Sequence, residues 1–192
     1  MKTETAYMLI EFQEDYFPGG RAPIPNSLEA SKEAHAGLCS ARERSLHVIH
    51  IQQISTHPNA KHCLPCTKGS HLYSTLQPIQ GETIIKKHYP NAFKDTHLLN
   101  YLKKHRIKHL VICGMMTHLS IDSTVRAARD FGFSCTVLSD ACAAKDLTFH
   151  HHVIPAHEVH QAFLAALYPT YAKVSSTQEY LNRAQQPLQL VG

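Results

Sequence analysis

Leu110-Val111-Ile112-Cys113-Gly114-Met115-Met116-Thr117-His118-Leu119-Ser120 joins a short apolar run to a glycine and then to the polar opening of a helix. A continuous apolar run of this length suits a strand buried on both faces. The helical pattern extends from about Thr117 to Phe131, where Gly132 ends it. The same alternation recurs on either side. Upstream, apolar runs at 7–10, 46–51 and 83–85 predict strands. Helices are expected over 27–44, with Ser27 as N-cap, and from Thr96 to about His105. Downstream, a strand at 135–138 is followed by a helix opened by Pro155 and running to about Leu167. A short strand at 171–174 and a helical turn at 177–182 close the pattern. Strands alternating with helices predict an α/β fold, a three-layer α/β/α arrangement around a mostly parallel sheet of about six strands.

The 192 residues are expected to form a single domain, 1–192, and suffice for a sizeable core. At 43% hydrophobic and 18% charged the chain is too apolar for a disordered segment. No stretch approaches the roughly 18–20 apolar residues that cross a bilayer. Met1-Lys2-Thr3-Glu4 carries an acid and does not read as a signal peptide, so a cytoplasmic protein without membrane partners is expected. The net charge of +4 is mild and spread out. Its densest basic stretch, Lys103 to Arg106, reads as a solvated helix end whose cations complement the dipole, and no nucleic-acid partner is expected.

Six cysteines in such a chain read as free thiols. Cys63 and Cys66 form a CxxC, which admits a redox role. The pair lies in a Pro- and Gly-containing loop instead of opening a helix after a strand, so two incidental loop cysteines are the preferred reading. The 16 histidines include an internal run, His150 to His152, and should add positive charge below about pH 6.5.

In a parallel sheet, sites lie beyond the carboxyl ends of the strands. The residues there are Glu11, Gln13 and Asp15; His50 and Gln52; Lys86, Lys87 and His88; Gly114 to Ser120; and Asp140. Glu11, Lys87 and Ser120 can converge as base, cation and nucleophile. On residue type alone each also has an ordinary reading: a solvated loop acid, a surface lysine and a first-turn helix serine.

Four segments carry a resemblance. Ile10-Glu11-Phe12-Gln13-Glu14-Asp15-Tyr16-Phe17-Pro18-Gly19-Gly20 resembles the D-x-Q-x-D-F opening of the isochorismatase-like cysteine hydrolases. Residues 81–93, with Lys87 six before Phe93, resemble that family's lysine motif. Residues 113–124 resemble its G-x-x-T-x-x-C-V-x-x-T nucleophile motif, and Ser139-Asp140-Ala141-Cys142-Ala143 a further common segment. The motifs occur in family order across roughly residues 5–168.

The resemblance implies an Asp-Lys-Cys triad acting on small amides, ureas or a vinyl ether, usually in an oligomer. Carried over by position, the catalytic residues are Glu11, Lys87 and Ser120. Glutamate thus stands in the aspartate's place and serine in the cysteine's. Lys86 is a one-residue-slip alternative, but strand alternation sends it to the opposite face. A cis peptide at Met115–Met116 is implied, with the N–H groups of Met116 and Ser120 as oxyanion donors. Gln13, Phe17, His50, Gln52 and Thr117 are the expected substrate-pocket residues.

The resemblance implies no cofactor. The metal-binding branch carries Asp-x-His after the second strand, where this chain reads Ile49-His50-Ile51-Gln52, so no essential metal is expected. The expected partners are a small-molecule substrate and further copies of the chain, as a homo-oligomer. The leading expectation is a hydrolase with a variant triad and weak activity, because an alcohol ionises far less readily than a thiol. The alternative is a non-catalytic relative that keeps the fold for binding or assembly.

Overall fold

The structure, a computed structural model, describes residues 4–185. Residues 1–3 and 186–192 of the expected 1–192 unit, including the N-terminal Met1 to Thr3, lie outside the described residues. Eight strands occur in chain order: β1 Thr5–Ile10, β2 His47–Gln53, β3 Thr83–Lys87, β4 His109–Met115, β5 Ser134–Ala143, β6 Leu147–Phe149, β7 His152–Ile154 and β8 Lys173–Ser175. The helices are α1 Ser27–Glu43, α2 Leu98–Lys104, α3 Asp122–Asp130, α4 Ala156–Leu167 and α5 Thr177–Gln185.

Six strands form one sheet in the order β3-β2-β1-β4-β5-β8, and every pairing among them is parallel. The order reverses between β1 and β4, which is where open α/β sheets build their crevice. Register assigns the faces, because paired residues point the same way. Tyr7 pairs with Val48 and Val111, Leu9 with His50 and Cys113, and His50 with Ile84. On that face the Tyr7 hydroxyl donates to the Ala34 carbonyl of α1. The opposite face carries Met8 and Ile10, then Ile49 and Ile51, then Ile85 and, paired with Gln53, Lys87. The core runs through both faces; Tyr7, Met8, Ile49, Ile51, Ile85 and Ile112 are fully buried.

Several expectations are corrected. Asn26, not Ser27, precedes α1; it sits in the left-handed region that Asn tolerates, and neither side chain caps the helix. Thr96 is outside α2, yet its hydroxyl accepts the Leu98 N–H at 3.2 Å. The helix expected from Thr117 to Phe131 is broken: Thr117–Ile121 is a π-type turn and α3 starts at Asp122. Strand β5 continues through Asp140 to Ala143 after a register shift opposite Ile112 and Gly114, so Cys142 lies within a strand. The β6–β7 hairpin has no counterpart in the sequence reading; three-residue strands are too short to show a period. Among the described residues no helix is long and apolar enough to cross a membrane.

Candidate active site

β1, β3 and β4 deliver the three candidate side chains to the switch point. Ile10 pairs with Gly114 at the ends of β1 and β4. A Cβ at Gly114, whose φ is +138°, would strike the Ile10 backbone, so glycine allows these two strand ends to close together. Glu11 follows Ile10 with φ +56°, a conformation uncommon outside glycine. Its N–H still donates to the Ile51 carbonyl, at 2.8 Å. Strict alternation would leave Glu11 on the Tyr7 face, but the left-handed residue breaks the pleat and the carboxylate meets Lys87 and Ser120 instead.

The three groups touch. The Ser120 hydroxyl donates to Glu11 Oε1, and Lys87 Nζ pairs with the same oxygen. Lys87 Nζ also donates to Ser120 Oγ at 3.2 Å, to Gln53 Oε1 at 3.0 Å, and to the carbonyls of Tyr89 and Pro90 at 2.7 and 3.0 Å. Lys87 is fully buried, whereas Lys86 is exposed, as alternation requires. Glu11 and Ser120 are also buried, at 3% and 4% exposure. A buried ammonium persists only when its protons are taken up, and here oxygens surround it. The Tyr16 hydroxyl donates to Glu11 Oε2 at 3.0 Å. Its phenol is pushed well above its ordinary value by burial first and by the Glu11 charge second. The Met115–Met116 peptide is cis, and both residues are buried.

Each of the five expected pocket residues has hydrogen-bond or ring partners of its own. Gln13 clamps the end of β2: its Nε2 donates to the Gln53 and Ser70 carbonyls, and its Oε1 accepts the Gln53 N–H. Phe17 stacks on Tyr73 at 3.5 Å between ring centroids. Gln52 donates to the Ser70 carbonyl at 2.7 Å. Thr117 Oγ1 contacts His160 Nδ1 at 2.8 Å. His50 lies by register on the α1 face, where its ring meets Glu82 at 2.9 Å, and Glu82 also takes two bonds from Arg42 of α1. Burial lowers the His50 pKa in spite of that carboxylate.

Sequence reasoning missed Gln53, Tyr16 and Cys63. Alternation from Ile51 does place Gln53 on the Lys87 face, so that signal was present. Nothing in the pattern brings the loop residue Cys63 inward, yet its thiol is buried and its N–H donates to Asp15 Oδ2 at 2.6 Å. Burial pushes that thiol up to about 12, which makes it a poor nucleophile. Cys66 is exposed. Among the described residues no group of three His, Cys, Asp or Glu side chains is arranged to hold a metal ion.

Comparison with known proteins gives a consistent result. The isochorismatase domain profile matches residues 5–179. The chain is 40% identical over 177 residues to YddQ of Bacillus subtilis (strain 168), an isochorismatase family protein, covering 92% of this chain and 98% of that one. A solved structure from Oleispira antarctica superposes with a TM-score of 0.90 at 39% identity, covering 95% of this chain and 99% of its own. A ureidoacrylate amidohydrolase, RutB of Acinetobacter baylyi, is 29% identical over 119 residues, 62% of this chain and 45% of that enzyme.

Proposed function

The chain belongs to the isochorismatase family, and on that premise we propose that it hydrolyses a small amide or urea with Ser120 as nucleophile, Glu11 as base and Lys87 as the fixed cation. One observation carries this reading: Ser120 Oγ donates to Glu11 while accepting from Lys87. The alcohol thus has a route for its proton and a positive charge beside its oxygen. The relationship to an amidohydrolase supports C–N bond cleavage as the reaction class.

The steps follow from the contacts. Ser120 Oγ attacks the carbonyl carbon as Glu11 Oε1 takes the hydroxyl proton. Lys87 stays an ammonium and, hydrogen-bonded to Oγ, opposes the negative charge that builds there as the proton leaves. The N–H groups of Met116 and Ser120 receive the oxyanion. Glu11 returns its proton to the leaving amine, then takes one from the water that attacks the acyl group and passes it to Ser120 Oγ as the acid is released. Gln13 supports this arrangement at one remove, because it fixes Gln53, which fixes Lys87.

Turnover should be slow. Glu11 can accept a proton during attack and Lys87 can oppose the developing charge, but they cannot hold an alkoxide beforehand as a lysine holds a thiolate. The enzyme is also proposed to work as a homo-oligomer in the cytoplasm. Phe149, Val153, Phe131 and Tyr168 expose large apolar side chains, and the unpaired cysteines suit a reducing compartment.

The test is a screen of small amides and ureas against the wild type and Ser120→Ala. The expected result is slow hydrolysis of at least one compound, abolished in the variant. Turnover that survives Ser120→Ala refutes the assignment of the nucleophile. No turnover by either protein, or by Ser120→Cys, leaves the non-catalytic relative as the better account.

A further inference from the structure

We propose that Tyr16 is a positioning residue: its hydroxyl anchors Glu11 Oε2 so that Oε1 alone faces Ser120 and Lys87. This rests on the reading of Glu11 as base.

A glutamate side chain has one more rotatable bond than an aspartate, so its carboxylate can swing as well as spin. Both oxygens of Glu11 are occupied, by different partners. Oε1 takes Ser120 and Lys87, and Oε2 takes the Tyr16 hydroxyl at 3.0 Å. Two points of attachment fix a plane, which one point cannot. Tyr16 is itself immobile. It is 2% exposed, its N–H donates to the Gln13 carbonyl at 2.9 Å, and its carbonyl accepts the Ile24 N–H at 2.9 Å. Its ring lies 5.5 Å from the His62 ring. Burial and the neighbouring carboxylate keep the phenol protonated, so it remains a donor across the working pH range. Phenylalanine, which stands at this position in the motif that residues 10–20 resemble, has no such donor. The hydroxyl and the longer acid therefore occur together in this chain. A carboxylate one methylene shorter would not reach both Tyr16 and Ser120 from the same backbone.

The experiment measures covalent labelling of Ser120 by a fluorophosphonate, which needs no knowledge of the substrate. Ser120 Oγ bonds to phosphorus, fluoride leaves, and the hydroxyl proton goes to Glu11. The rate is followed by intact mass against pH for the wild type, Tyr16→Phe, Glu11→Asp and the double variant, with Ser120→Ala as control. Tyr16→Phe should label about 10-fold to 100-fold more slowly, on the scale expected for a misplaced catalytic group. In the Glu11→Asp background the same substitution should change the rate less than threefold, since the shorter acid no longer reaches Tyr16. A merely structural hydroxyl would slow both backgrounds alike; that result overturns the proposal. So does Tyr16→Phe labelling at the wild-type rate while Ser120→Ala does not label, with the reading of Glu11 and Ser120 left standing. A wild type that labels no faster than Ser120→Ala refutes that reading and this inference with it.

Discussion

Replacing Lys87 with methionine tests the site without any substrate. The side chain is fully buried, so methionine keeps most of its volume and removes only the charge and its donors. Five oxygens lose their partner: Glu11, Ser120, Gln53 and the carbonyls of Tyr89 and Pro90. Glu11 is left as a buried carboxylate with only the Tyr16 and Ser120 hydroxyls to satisfy it. Breaking a buried pair from one side costs about 3–5 kcal/mol, chiefly for the stranded charge. For a domain of this size that is a fall in Tm of about 6–20 °C, at about 2–4 °C per kcal/mol. Guanidinium unfolding at pH 7, followed by circular dichroism, should show this loss with an unchanged m value. Adding Glu11→Gln to Lys87→Met removes the stranded charge and should recover at least about 1 kcal/mol, within the usual coupling between contacting groups. A loss below about 1 kcal/mol in the single variant, or simple additivity in the double, would refute the buried ion pair.

Three further outcomes are expected. Ser120→Cys should raise the hydrolysis rate, and Glu11→Asp should add to it more in that background than alone, because base and nucleophile act as a unit; a wild type faster than both variants would show serine to be an adapted nucleophile. Burial holds His50, His109, His118 and His160 below the ordinary histidine value, so the unfolded chain binds protons there that the folded chain refuses. Stability should therefore be full above about pH 6.5 and decline below it. Burial raises the Glu82 pKa, but bonds from Arg42 and His50 outweigh it and leave the carboxyl low, so its contribution is lost later, as pH falls below about 4.3. Thermal scans showing equal or higher Tm at pH 5 than at pH 7.5 would contradict this. Sedimentation at micromolar concentration should give a mass above that of one 21.6 kDa chain, and a monomer would count against the oligomer.

The sheet was legible because its strands are buried on both faces. Tyr7 to Ile10, Leu46 to Ile51 and Leu110 to Cys113 are apolar runs with no competing helical reading. Lys87 was selected by the resemblance, six residues before Phe93, and strand alternation lets only one of Lys86 and Lys87 face inward. The pocket residues were less so. His50 and Gln52 follow an apolar run as a site residue would, but which face they occupy depends on register between strands distant in sequence. That register puts Gln53 beside Lys87 and His50 beside Glu82. Exposed apolar side chains at Phe149, Val153 and Tyr168 carry no such pattern.

The two departures from the family motif are not independent in space. Serine carries a smaller atom than cysteine, and its oxygen ends short of where a sulfur would. Glutamate carries its carboxylate one methylene further than aspartate. Each change alone would open or crowd the contact with its partner; together they leave Ser120 Oγ donating to Glu11 Oε1. Glu11 also holds a left-handed backbone, which for a residue with a side chain costs on the order of 1–3 kcal/mol and persists only where the surroundings impose it. Those surroundings are the Ile51 carbonyl at its N–H, Lys87 at one oxygen and Tyr16 at the other. A strained acid, a buried lysine and a hydroxyl donor thus agree on the position of one carboxylate.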